Sequence, residues 1–148
     1  MKERKIMPFD KNFVPALRFA VMSDIHIDDE DCIEEQRFAK ALDDLKNLCS
    51  SDERYSGFDA LVIVGDFASR GSEIQMRKVK KILDAGLPAD IRLIMTMASH
   101  EYMTDGEENA LRRFDEIFGL TPDTHAVING FDFIAVTTTG GCHFDDKK

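Results

Sequence analysis

Three short clusters combine carboxylates with imidazoles or a glycine: Asp24 and His26, Gly65 and Asp66, and His100 with Glu101. Asp24 and His26 stand two apart, which in extended backbone points both side chains the same way and lets them share one cation. Carboxylate oxygen together with imidazole nitrogen suits manganese, iron or zinc better than calcium. Asp66 carries two oxygens and can bridge cations about 3.5–4 Å apart, the spacing of hydrolytic two-metal sites that clamp a phosphoryl group and activate a water. Gly65 lets the backbone turn with no side chain in the way, and Arg70 brings a guanidinium suited to phosphate oxygens. Taken singly, D-x-H and G-D recur by chance, and an aspartate after a strand is commonly a cap or turn former. The signal lies in their order, each cluster following an apolar run.

Those runs open a repeated grammar of apolar segment, polar break and amphipathic stretch, which predicts βαβαβα. Leu17–Met22 runs into Asp24 and His26, and the helix after it places Phe38, Ala41, Leu42, Leu45, Leu48 and Cys49 on one face. Ala60–Val64 breaks at Gly65, and its helix carries Met76, Val79, Ile82 and Leu83, with Ser72 and Gln75 at capping-box spacing. Ile91–Met97 breaks at Ser99, and its helix carries Ala110, Leu111, Phe114, Ile117 and Phe118, with Thr104 and Glu107 as its cap and Gly119 as its end. Asn129-Gly130, between His125–Ile128 and Phe131–Val136, is a two-residue hairpin signal. The expected architecture is a mainly parallel sheet with helices on its faces, ending in antiparallel strands. In such a sheet ligands bind outside the carboxyl ends of the strands, where all three clusters fall.

Composition narrows the function classes. With 148 residues, 43% hydrophobic and 32% charged, the chain fits one globular domain, taken as residues 1–148, and not a disordered or low-complexity chain. A formal charge of -9 opposes nucleic-acid binding, and the basic run Arg77–Lys81 is short. Cys32, Cys49 and Cys142 include no C-x-x-C pair, which argues against a disulfide framework or a structural zinc site and for a reducing compartment. The charged start Met1–Lys5 leads into no apolar core of a signal peptide, and no run approaches the ~18 apolar residues of a membrane span. The expectation is a cytoplasmic protein without a membrane partner. The acidic stretch Asp28–Asp31 with Glu34 and Glu35 lacks calcium-loop spacing and reads as a solvated helix N-terminus. His100-Glu101-Tyr102-Met103-Thr104 is not H-E-x-x-H, and neither a G-x-S-x-G elbow nor a glycine-rich dinucleotide loop occurs.

Asp24-Ile25-His26, Gly65-Asp66 through Gly71, and Ala98-Ser99-His100-Glu101 together resemble the ordered motifs of the calcineurin-like metallophosphoesterase superfamily: D-x-H, G-D-x-x-D/N and G-N-H-D/E. The resemblance spans Leu17 to Val136 and implies an α/β sandwich of two sheets that hydrolyses phosphoesters with two metals. It implies that Asp24 and His26 bind the first metal and that Asp66 bridges to the second. His100 would sit over the substrate and stabilise or protonate the leaving group, and Arg70 would contact phosphate.

Two departures stand out. Ser99 replaces the asparagine that ligates the second metal, and a hydroxyl is a shorter and poorer ligand; Ser69 replaces the D/N of the second motif and bears on loop orientation. The family's later histidines, including G-H-x-H, belong to a second half that this sequence lacks. His125 reads as an exposed histidine beside the hairpin, and His143 lies near the end of the sequence. The expectation is the N-terminal portion of a phosphoesterase domain: βαβαβα units plus a β-hairpin, with two divalent ions, Mn2+ first and Fe or Zn2+ next, in the complete domain and one or none here. The alternative is a non-catalytic binding module that keeps the fold with a degraded metal site. An exposed sheet edge would favour homo-oligomers.

Overall fold

A computed structural model describes residues 12–51, 53 and 57–137. Three parallel strands, β1 (Phe19–Met22), β2 (Ala60–Val64) and β3 (Arg92–Thr96), lie in that order, with Val21 beside Val62 and Val62 beside Ile94. Each is followed by a helix: α1 (Ile33–Ser50), α2 (Glu73–Gly86) and, after a 3-10 turn at Ser99–Tyr102, α3 (Glu107–Phe118). Strands β4 (Thr124–Ile128) and β5 (Phe131–Ala135) form an antiparallel hairpin.

The period-two alternation of the strands divides the molecule into layers. Ala20, Met22, Leu61, Ile63, Leu93 and Met95 point to the core that Phe38, Leu42, Met76, Val79, Leu83 and Phe114 fill from the helices. On the opposite face Val62, Val64, Ile94 and Thr96 border a cavity of about 290 Å3 closed by Phe133–Val136 of the hairpin, and Phe19 meets Phe133 edge-on at 5.2 Å. The helices thus cover one face and the hairpin crosses the other, where the sequence suggested helices on both.

Local signals explain most boundaries. The Ser72 hydroxyl accepts the Gln75 N–H, and the Gln75 side chain returns a bond to the Ser72 backbone, so the capping box forms as spaced. Gly119 ends α3 at φ 63, and Asn129 and Gly130, at φ 52 and 83, make the left-handed pair of a type I′ turn. Two expectations fail. The residue that caps α3 is Gly106, and Thr104 instead donates its hydroxyl to the Arg70 carbonyl at 2.7 Å, because its loop is drawn to the second motif. Leu48 is 72% exposed; ten residues after Phe38 it sits roughly 80° around the helix from that residue, beyond the edge of the buried stripe.

The hairpin is fastened at both ends. Asn129 donates its side-chain amide to Asp59 and to the Ala16 carbonyl. At the other end the buried Thr137 hydroxyl meets the Met97 N–H, the Met97 carbonyl and the Tyr102 hydroxyl.

Candidate metal centre

Beyond β1 and β2 the chain keeps a zipper of backbone bonds that sets the first two motifs side by side. His26 N–H reaches the Asp66 carbonyl at 3.0 Å, Ile27 N–H the Phe67 carbonyl at 3.0 Å, and Ser69 N–H the Ile27 carbonyl at 2.9 Å. Ile27, Phe67 and Ala68 are fully buried beneath it. Phe67 packs on Phe114 and Phe118 at 6.2 and 5.7 Å, so the residue after Asp66 anchors that loop in the core.

The backbone here is not extended. Asp24, His26 and Asp66 have φ of 54, 54 and 50°, a left-handed conformation that costs a non-glycine residue about 1 kcal/mol or more. The reason given above for pairing Asp24 with His26 therefore fails, since β1 has ended at Met22 and the two residues sit on a left-handed turn. They still lie close, with His26 Nε2 3.9 Å from Asp24 Oδ1. Gly65, at φ 80, passes so close to Ala98 that a Cβ would overlap it, which brings the second and third motifs into contact.

One donor atom from each of His26, Asp66 and His100 lies within 4.8 Å of the other two. The rings of His26 and His100 meet edge-on at 4.6 Å. His100 Nδ1 stands 2.7 Å from the Ser69 carbonyl, which only accepts, so Nδ1 carries the proton and Nε2 keeps its lone pair. A carbonyl that fixes the tautomer in this way is characteristic of histidines that bind metals. The Ser69 hydroxyl also donates to the His26 carbonyl at 3.0 Å, so this one residue ties both histidines.

The remaining sequence candidates surround this group. The Asp24 side chain is 68% exposed and stands outside it. Ser99 is half-buried at the start of the 3-10 turn. Arg70 is exposed, its backbone held by Gln75 Oε1 at 2.8 Å. A cleft of about 770 Å3 opens beside Asp24 and His26, bordered also by Arg37, Phe38 and Ser69. His125 lies apart, exposed on β4 and bonded to Asp132 at 2.6 Å, and His143 and Cys142 fall outside the described residues.

Glu101 is the residue whose role the sequence reading missed. Grouped there with the hard ligands, it is instead fully buried and accepts backbone N–H groups from Asp66, Ala68 and Ala98. Burial pushes its carboxyl above the ordinary range, and those three bonds pull against the rise.

No curated protein matches the sequence. The calcineurin-like phosphoesterase family profile matches residues 17–146, taking in all three motifs, the three strand–helix units and the hairpin. With that span matched and His26, Asp66 and His100 gathered at the strand ends, this chain belongs to the calcineurin-like phosphoesterase family.

Proposed function

We propose that this chain is a metal-dependent phosphoesterase, acting on a phosphomonoester or phosphodiester. The observation that carries the reading is the convergence of His26, Asp66 and His100 within 4.8 Å on the loops that end three parallel strands. The donor set fits a first-row divalent cation, because it offers imidazole and carboxylate together and the His100 tautomer leaves a nitrogen lone pair. Mn2+ is the first expectation, with Fe or Zn2+ next.

When bound, such a cation supplies positive charge that polarises a phosphoryl oxygen and acidifies a water. His26 and Asp66 would hold it, with Asp24 as a further carboxylate beside His26 and Ser99 as a weaker hydroxyl donor. Asp66 Oδ1 accepts the backbone N–H of His100 at 3.1 Å, which fixes the carboxylate against the main chain that carries the imidazole. His100, its Nδ1–H steadied by the Ser69 carbonyl, stands beside the same point and would stabilise the leaving group; to protonate a leaving oxygen, its Nε2 must first take up a proton from water. Arg70, exposed on the second loop, would meet phosphate oxygens through its guanidinium. The organic part of the ester would lie in the cleft beside Asp24.

A second reading rests on the exposed Asp24 and on Ser99: a binding module that takes one cation and performs no hydrolysis. The two are separated by calorimetric titration with Mn2+ beside assays on an aryl phosphomonoester and an aryl phosphodiester. Mn2+ binding with hydrolysis, both lost in Asp66→Asn and hydrolysis lost in His100→Ala, is the outcome expected. Binding without hydrolysis of either ester selects the second reading, and absence of Mn2+ binding rejects both.

A further inference from the structure

Glu101 Oε2 accepts the N–H of Asp66 at 2.9 Å and of Ala98 at 2.8 Å, while Oε1 accepts that of Ala68 at 3.0 Å. Ala98 belongs to its own loop, whereas Asp66 and Ala68 are 35 and 33 residues away on the loop after β2. Only a carboxylate offers two acceptor oxygens with no donor, so neither an amide nor a hydroxyl satisfies all three N–H groups. Glu101 is fully buried, which keeps water from replacing it.

The bonding is reciprocal. Glu101 gives its carboxylate to the Asp66 N–H, and Asp66 gives its carboxylate to the His100 N–H. Asp66 holds a left-handed backbone at φ 50, and the Glu101 bond falls on the amide of that same residue. Gly71 closes the ring from the other side, since its α-carbon passes so near the Glu101 backbone that a Cβ there would overlap it.

We infer that Glu101 is a positioning residue, which aims the Asp66 carboxylate and the His100 imidazole at one point while touching neither cation nor substrate. In its consequence for metal binding the inference rests on the cation-site reading above; in its consequence for the imidazole it does not.

The experiment compares the full chain with Glu101→Gln, which keeps the side-chain size and turns one acceptor into a donor facing a backbone N–H. In metal-free protein, nitrogen-15 spectra of the imidazoles report the His100 tautomer. The parent is expected to hold the Nδ1–H form that the Ser69 carbonyl selects, and E101Q to show an averaged tautomer while circular dichroism stays native. In the second arm, visible absorption follows Co2+ titration, with affinity expected to fall about 10- to 100-fold in E101Q and the cobalt bands to shift. A folded E101Q with the parent's tautomer and the parent's Co2+ behaviour overturns the inference. A parent that takes up no Co2+, beside a tautomer lost in E101Q, upholds the positioning role and rejects the cation site. If E101Q fails to fold, an amide-to-ester replacement at residue 98 removes one of the three donors; a smaller shift of the same kind supports the inference, and an unchanged tautomer overturns it.

Discussion

At Gly71 a side chain has nowhere to go. The residue sits at φ 71, and a Cβ there would overlap the backbone of Glu101. Gly71→Ala therefore combines a left-handed alanine with a steric overlap against main chain, and is expected to lower stability by at least about 2 kcal/mol, read as the shift of the urea midpoint. An unchanged midpoint would contradict the contact. The same scale shows what was legible in the sequence. Asp24, His26, Asp66 and His100 were identified from residue type and from position after apolar runs, and the structure brings three of them within 4.8 Å. Their backbone was not legible, because a left-handed turn at Asp24, His26 and Asp66 is imposed by bonds to residues tens of positions away. Glu101 was misread for the same reason, since its partners are backbone amides, which have no letter in the sequence.

Among the elements, α3 shows how a cap is replaced. Without a side-chain cap at Gly106, the loop before the helix is held by Arg113, which donates to both oxygens of Asp105 at 3.0 and 2.7 Å. The Arg113 hydrogen bond holds the Asp105 carboxyl below the usual carboxylate range, with burial opposing the shift. A depressed carboxylate adds stability that is present above about pH 4, the unfolded value, and is lost as pH falls through the folded value. Because the Asp105 side chain is 38% exposed, solvent screening limits the contribution to roughly 0.5–1 kcal/mol. Asp105→Asn should thus lower stability by that amount at neutral pH, with the two proteins converging as pH falls through the folded value, as urea titrations across the acid range will show. The strands and helices themselves were legible, because periods of 2 and 3.6 survive in the apolar residues. What those patterns leave open is the partner of each face: periodicity alone suggested helices on the sheet's faces, whereas the motif resemblance implied the two-sheet arrangement in which the hairpin covers the second face.

In the whole molecule the hairpin is joined to the parallel sheet by the Phe19–Phe133 contact and by polar contacts at its two ends. Thr137 carries one end, its buried hydroxyl shared among Met97 and Tyr102. Thr137→Val keeps the shape and leaves the buried Met97 N–H without this acceptor, an expected cost of about 1–3 kcal/mol. The amides of β4 and β5 should then exchange faster than those of β2, measured by hydrogen exchange. Equal acceleration across both sheets would show instead that the hairpin and the parallel sheet open as one unit.

The bonds that shape the site, from Ser69 to His26, His100 to Ser69 and Asp66 to Glu101, span 43, 31 and 35 residues. None lies within a single strand–helix unit, so the site is not a property that one unit can carry or pass on. A fragment ending before residue 98 would retain Asp24, His26 and Asp66 yet lack the carboxylate that receives the Asp66 N–H and the imidazole that completes the group. The centre is therefore indivisible: it exists only in a chain that carries all three strand ends, and two of them without the third leave its carboxylates and imidazoles unaimed.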